Sequence, residues 1–488
     1  MKKKFKKYFY FLIILLLILY FFGSKVIGNN EYNFYFHLKS YIPNSLKHHL
    51  KNTIFIIPKL KKDVKVLKEK NRELELQLKK KYKIIENLKK NNLNEVNNII
   101  TFKIQKKDIK IKTKFSQYKY SQFETNSLSN GKADEAIASG YIEEYKDNII
   151  IVSGDGLFLY FNKNLINKNI FKANFIKSNI KEIIKYPKFY SKSKFGVKDI
   201  YIENEKLFIS YSNQLSKNCF NTSILVANID LNYLKFKEFF NPKNCVKTKN
   251  DYGSFNGHIA GGRITNFINN ELLFSTGSFQ YSSHAQNDKN IFGKILSINK
   301  DTGDWNIISM GHRNIQGLGY DFEKNIIYST EHGPIGGDEF NLNFKPNKLN
   351  IKNYGWPISS YGEHYGGKSK KNEWKYKKAP LKKSHSKHGF IEPIKYFVPS
   401  IGISEIIKVP KNFNNDFDND FFISSMGKII EEGDLSIHHI KLDYELKKIE
   451  REDIIVIGER IRDMKYITDL NKIILFVENS PGIGVLSY

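Results

Sequence analysis

The chain has 488 residues, of which 14% are aromatic, and a formal net charge of +28. That length holds two or three ordinary domains or one large all-β domain with extensions, and the aromatic content suits strands better than disorder. The positive charge does not mark a nucleic-acid surface: Lys, Asn and Ile recur along the whole sequence instead of gathering in one basic segment, so nucleic acid is not an expected partner.

Lys2, Lys3, Lys4, Lys6 and Lys7 form a basic flank, and Tyr8 to Gly23 is uncharged and almost wholly apolar. About sixteen residues at roughly 1.5 Å each is short for a membrane span, so a cleaved signal peptide is the alternative to a transmembrane helix. The segment Gly23-Ser24-Lys25-Val26-Ile27-Gly28 lacks a small-x-small cleavage pattern, which favours an uncleaved signal anchor. The lysines keep the N-terminus in the cytoplasm. Residues 1–28 are therefore expected to be a basic flank and anchor in the inner membrane, with the remainder on the periplasmic side.

Residues 29–57 read as a linker. Within residues 58–98, Leu60, Val64, Leu67, Asn71, Leu74, Leu78, Lys81, Ile85 and Leu88 alternate in steps of four and three. This is the a/d seam of a coiled coil over about four heptads. Asn71 at an a position favours a parallel two-stranded register, and Lys81 at a d position weakens the seam. The expected state is a parallel homodimer; the other reading is a single exposed helix acting as a stalk.

From residue 105 the pattern changes to short apolar runs rich in β-branched and aromatic residues, divided by Gly, Asn and Asp. Examples are Ile149–Val152, Leu207–Tyr211, Ser223–Ala227, Leu272–Thr276, Lys294–Ile298, Ile326–Thr330, Phe421–Ser424 and Ile473–Val477. No amphipathic helix of ten residues or more interrupts them. Many short strands over roughly 380 residues predict an all-β repeat fold, and a β-propeller suits that length at about sixty residues per blade. Cys219 and Cys245 are either one disulfide or two buried thiols, and export favours the disulfide.

The chemistry-bearing residues crowd into loops. Gly311-His312-Arg313-Asn314-Ile315-Gln316-Gly317-Leu318 is followed by Thr330-Glu331-His332-Gly333-Pro334-Ile335-Gly336-Gly337-Asp338-Glu339, and then by Asn353-Tyr354-Gly355-Trp356-Pro357. Polar loops between apolar runs commonly carry function. His258 lies in a glycine-rich loop, Asn256-Gly257-His258-Ile259-Ala260-Gly261-Gly262-Arg263, and is either a general base or a surface histidine. Arg313 and Lys294 could hold a carboxylate. Asp321, Asp338 and Glu339 are oxygen donors of the kind hard cations use, although their spacing is not that of an EF-hand.

These motifs, in this order, resemble the soluble pyrroloquinoline-quinone (PQQ)-dependent glucose/sorbosone (aldose sugar) dehydrogenases, over roughly residues 110–488. The resemblance returns at Pro399-Ser400 and at Arg460-Ile461-Arg462-Asp463. It implies a six-bladed β-propeller at residues 105–488 with its site at the top centre. It also implies a histidine that takes a proton from the sugar's anomeric hydroxyl while hydride passes to a quinone held on Ca²⁺. His258 matches that base. Gln286, Arg313 and Asn314 match residues of the PQQ site. Gly333 and Pro334 match the loop whose carbonyls hold the active-site Ca²⁺, and Glu339 and Tyr354 match ligands of a second, structural Ca²⁺.

The sequence departs from the family in places. Ser278 stands where an aspartate usually orients the histidine. Ile335 replaces an arginine, and Lys428 is the one cation in the segment Ser424–Lys428, where the family offers arginines. The expected function is a membrane-anchored periplasmic PQQ-dependent sugar dehydrogenase that oxidises an aldose at its anomeric carbon and passes electrons to an acceptor. The alternative is a non-catalytic Ca²⁺-binding propeller that binds a carbohydrate or a protein.

Overall fold

The computed structural model describes residues 66–70, 99–125, 128, 139–250, 255–445 and 447–488. The anchor lies outside these residues, and of the coiled-coil segment only 66–70, which are helical, lie within them. Among the described residues no helix is long and apolar enough to cross a membrane.

Each of the apolar runs lies in a strand. Asn148–Ser153 and Phe158–Asn162, for example, are joined by the Gly154-Asp155-Gly156 turn, and Ile326–Glu331, Asp420–Ser425 and Lys472–Val477 are buried central strands. β-Branched and aromatic side chains pack well on both faces of a strand buried between two sheets, and here they do so. The strands form antiparallel meanders. Ile403–Lys408, Asp420–Ser425, Ser436–Asp443 and Lys448–Val456 pair in sequence order, and Ile315–Asp321, Ile326–Glu331, Asp338–Phe344 and Lys395–Phe397 do likewise.

The ends of the chain close the structure. Gln117–Glu124 pairs antiparallel with Gly482–Ser487, from Lys119↔Ser487 to Glu124↔Gly482. Ile99–Lys112 pairs with Gln117–Glu124 and also with Ile170–Ser178, so the first and last meanders belong to one sheet. The innermost strands, Gly140–Tyr145, Val197–Glu203, Gly261–Asn266, Ile315–Asp321, Ile403–Lys408 and Ile461–Ile467, contact one another in that order, and the last returns to the first. The result is an all-β, nearly closed, propeller-like arrangement with apolar cores between successive sheets.

Polar groups join the sheets at the centre. The ladder is irregular near the start of inner strands, between Val197 and Asp199, Gly261 and Ile264, Ile315 and Gly317, Ile403 and Ile406, and Ile461 and Asp463. Such bulges re-aim side chains. Asp199 Oδ2 accepts the Ile264 amide and Asp463 Oδ2 accepts the Ile142 amide, both at 2.7 Å, and Asp338 Oδ2 accepts the Ile403 amide at 3.0 Å. Arg263 sits at the hub. Its guanidinium pairs with Asp199 at 2.9 Å, Glu405 at 2.7 Å and Asp463 at 2.8 Å. It also donates to the carbonyls of Gln316 and Arg462 and lies 5.0 Å over the Tyr141 ring. One side chain thus touches all five other inner strands.

Cys219 and Cys245 are joined in a disulfide, 26 residues apart. It ties Cys219–Asn228 to the short strand Val246–Lys247. Closing a loop of that size stabilises by about 3 kcal/mol. Replacing both cysteines by serine is expected to lower the urea midpoint accordingly, and an unchanged midpoint would show that the loop is held by packing alone.

Glu452 supplies an acid-sensitive contact. Burial by itself would raise its carboxyl, but hydrogen bonds from His438 and Lys395 outweigh that and hold it at about 2, down from 4.5. A depressed carboxyl contributes stability above the unfolded value, and that stability is lost as pH falls through the folded value. Glu452→Gln should therefore flatten the loss of stability between about pH 4.5 and pH 2, read from thermal melts across that range.

Candidate functional site

The site is built on two tight loops. Residues 311–314 follow the strand Trp305–Met310, and His332–Gly337 connects Ile326–Glu331 to Asp338–Phe344. Gly311 has φ +75°, and a Cβ there would lie 2.1 Å from Asn353 Oδ1, so only glycine fits the turn. Buried Glu331 anchors the first loop from below. Its Oε2 accepts the Arg313 amide at 2.8 Å, and its Oε1 faces His312 Nδ1 at 3.3 Å. His312 is fully buried, hydrogen bonds Ser309 Oγ through Nε2 at 2.8 Å and stacks on Tyr354. Asp338 does the same for the second loop by accepting the Gly333 amide at 2.9 Å.

Arg313 is directed by this frame. Its Nη1 donates to the His332 carbonyl at 2.9 Å, and the guanidinium lies 5.4 Å from the Trp356 ring centre. The carboxylates of Glu331 and Asp338 face His312 and His332 and act on the Arg313 guanidinium only through space. Burial lowers its pKa from the usual arginine value, yet an arginine stays charged at any ordinary pH. A guanidinium in this position is suited to an anionic ligand.

Arg313, Gly333, Glu339 and Tyr354 all line one cavity of about 10 Å³, together with Glu331, His332, Trp356, Ser359 and His385. Gln286 does not line it but holds Trp356, which does. Its amide exchanges hydrogen bonds with Asn353 at 3.1 and 2.8 Å and donates to the Trp356 carbonyl at 2.7 Å. Pro334 packs on Gly362, and its carbonyl lies 3.5 Å from Ser400 Oγ.

His258 lies on a neighbouring loop and is exposed. Its loop is joined to the Arg313 turn. Asn314 Oδ1 accepts the Gly261 amide at 3.1 Å, and the Arg313 carbonyl accepts the Ser278 amide at 3.0 Å. Phe279 in turn donates its amide to the Ile259 carbonyl at 2.8 Å. Ser278 is thereby held beside the histidine loop, fully buried, with a hydroxyl that makes no hydrogen bond among the described residues.

Other predicted residues lie elsewhere or face other groups. Lys428 is exposed on a separate loop whose amides are held by Asp434. Lys294 is not an open cation. Its ammonium is buried against the carbonyls of His284, Ala285 and Phe292 at 2.7–3.0 Å, and burial pushes it down to about 7. Asp321 caps a turn and pairs with Lys408.

The two expected cation sites differ in their donors. Among the described residues no three His, Cys, Asp or Glu side chains converge as metal ligands. The Gly333–Pro334 loop offers backbone carbonyls only, while Ca²⁺ takes six to eight oxygens, so a cation there needs oxygens from a bound anion and water. The Glu339–Tyr354 pair does not fit a cation, because the His385 ring lies between them, 3.2 Å from Glu339 Oε1 and 2.8 Å from the Tyr354 carbonyl. Sequence reasoning missed His385, which sits in an ordinary Ser-His-Ser run. It also missed Arg462, whose Nη1 donates to Gln316 Oε1 at 3.2 Å and whose Nε pairs with Glu478 at 2.7 Å. Arg462 belongs to the Arg460-Ile461-Arg462-Asp463 motif, and only the ring of inner strands shows that it stands near the centre.

Known proteins resemble this chain in both sequence and fold. The family model described as Glucose / Sorbosone dehydrogenase matches residues 165–485. An uncharacterized protein of Synechocystis sp. is 31% identical over 247 residues, 46% of this chain and 55% of that protein. The aldose sugar dehydrogenase YliI of Escherichia coli is 30% identical over 161 residues, 30% of this chain and 40% of that protein. The chain thus spans about half the length of the curated relatives it matches. The crystal structure of the soluble aldose sugar dehydrogenase from Escherichia coli in the apo-form aligns with 72% of this chain and 96% of its own, with a TM-score of 0.56 at 19% identity, which shows a shared fold.

Proposed function

The chain belongs to the glucose/sorbosone dehydrogenase family, and from that premise we propose that it is a PQQ-dependent dehydrogenase of aldose sugars built on a six-bladed propeller. The observation that carries this reading is the direct hydrogen bonding between the His258 loop and the Arg313–Asn314 turn. A base and an anion-holding guanidinium on two mutually fixed loops are what oxidation of a hydroxyl at a carboxylated quinone requires.

In this reading His258 removes the proton from the anomeric hydroxyl as the C1 hydrogen leaves as hydride. A bound quinone supplies the hydride acceptor. Arg313 and Arg462 would hold its carboxylates, and the Gly333 and Pro334 carbonyls would contribute ligands to a Ca²⁺. Trp356 and Gln286 keep the Arg313 turn rigid, which holds the geometry at little reorganisation cost. Lys428 would have to swing inward to add a cation.

The test is to supply the full chain with PQQ and CaCl₂ and follow dye reduction across a panel of aldoses. Saturable quinone binding and sugar-dependent reduction are expected. Absence of both, beside a working control enzyme, would sink the reading. A second reading, a non-catalytic propeller that binds a carbohydrate or protein, is favoured by Ser278, since a hydroxyl cannot stabilise an imidazolium as a carboxylate does.

The anchor and coiled coil extend the proposal. They would hold the propeller outside the cytoplasm as a parallel dimer near an electron acceptor. Crosslinking should give dimers of the intact chain and monomers of the compact unit Asn97–Tyr488; equal behaviour of the two removes the dimer.

A further inference from the structure

The second expected cation position holds a side chain of the protein itself. Glu339 and Tyr354 both line the small cavity, and the Glu339 carboxylate and the Tyr354 carbonyl are two buried acceptors within reach of one ring. Two acceptors held together in a dry place repel unless something positive or hydrogen-donating lies between them. The His385 ring occupies that place. Its Nδ1 meets the Tyr354 carbonyl at 2.8 Å and Ser359 Oγ at 3.1 Å, and its Nε2 lies 3.2 Å from Glu339 Oε1, too far off line for a good hydrogen bond but well within ion-pair reach.

The ring is fixed by its surroundings. It is 5.4 Å from the Tyr361 ring in a stacked arrangement, and Tyr361 stacks in turn on Tyr396 at 3.7 Å. The His385 carbonyl accepts the amides of His388 and Phe390. A Cβ at Gly355 would lie 3.0 Å from Nδ1, so the backbone there is shaped to the ring.

We propose that His385 takes the role of a divalent cation between Glu339 and Tyr354, so that this part of the fold closes without metal. The ring arrives on the segment between Glu373–Lys378 and Lys395–Phe397. It therefore fastens that segment over the loops that carry Arg313 and Gly333. A metal ligand pair has become a side-chain latch, and the family's second Ca²⁺ is dispensable in this chain. This goes beyond the catalytic reading and is tested without quinone or sugar, so its failure is distinguishable from failure of that reading.

The experiment measures thermal melts and bound calcium of the full chain in chelator and in CaCl₂. The wild type is expected to show no Glu339-dependent response: wild type and Glu339→Gln should bind the same amount of calcium. His385→Ala should melt lower in chelator and should gain a CaCl₂-dependent rise of about 2 °C or more, absent from His385→Ala/Glu339→Gln. Calcium that raises the wild-type melt and is lost in Glu339→Gln would overturn the proposal. A His385→Ala melt that does not respond to CaCl₂ would also overturn it. Should His385→Ala fail to fold, the comparison of wild type with Glu339→Gln decides the matter alone.

Discussion

Replacing Arg263 by methionine is expected to cost about 3–5 kcal/mol of folding stability, because it removes one partner of a buried ionic network and leaves the others unpaired. The guanidinium is buried and stands against Asp199, Glu405 and Asp463 at 2.7–2.9 Å. Burial already pushes the Asp199 carboxyl up to about 7 and raises Glu405, even with the arginine present. Without it, the folded state must hold protons on these carboxyls. The penalty should therefore be largest above about pH 7 and shrink as pH falls toward 4, where neutral carboxyls need no cation. Urea unfolding at pH 5 and pH 8 reads both statements. A loss below about 1 kcal/mol at pH 8, or a loss that grows in acid, would show that Arg263 is not the hub.

The second large effect concerns turnover. His258→Asn is expected to lower kcat by about 10²- to 10⁴-fold, the range for removal of a general base, with quinone binding unchanged. His258 is exposed on its loop, so the change should leave the melting temperature nearly where it was. Loss of quinone binding together with turnover would move His258 from the proton-transfer role to a structural one. Retention of full turnover would remove it from the mechanism and leave the non-catalytic reading in place.

Much of the fold could be read locally. The runs at Ile149, Leu272, Ile326 and Ile473 are strands because β-branched and aromatic residues buried on both faces favour them, and neighbouring Gly and Asn set the turns. The pattern could not show which strand lies innermost, nor that Gln117–Glu124 closes onto Gly482–Ser487, since pairing between opposite ends of the chain leaves no periodic trace. Lys294 illustrates the same limit. As a residue type it suggests an anion site, but its place on a buried strand turns the ammonium toward three carbonyls.

By itself the sequence determined the family, the all-β class and the Arg313 and Gly333–Pro334 loops, because each is written in contiguous residues with their own local chemistry; that Cys219 and Cys245 are joined, 26 residues apart, is decided by the fold. Tertiary structure alone decided which groups meet. Arg263 gathers Asp199, Glu405 and Asp463 from three separate strands. His385 enters between Glu339 and Tyr354 from a separate segment further along the chain. Charges that far apart in the chain interact only after apolar packing has brought their strands together and excluded the water that would otherwise screen them.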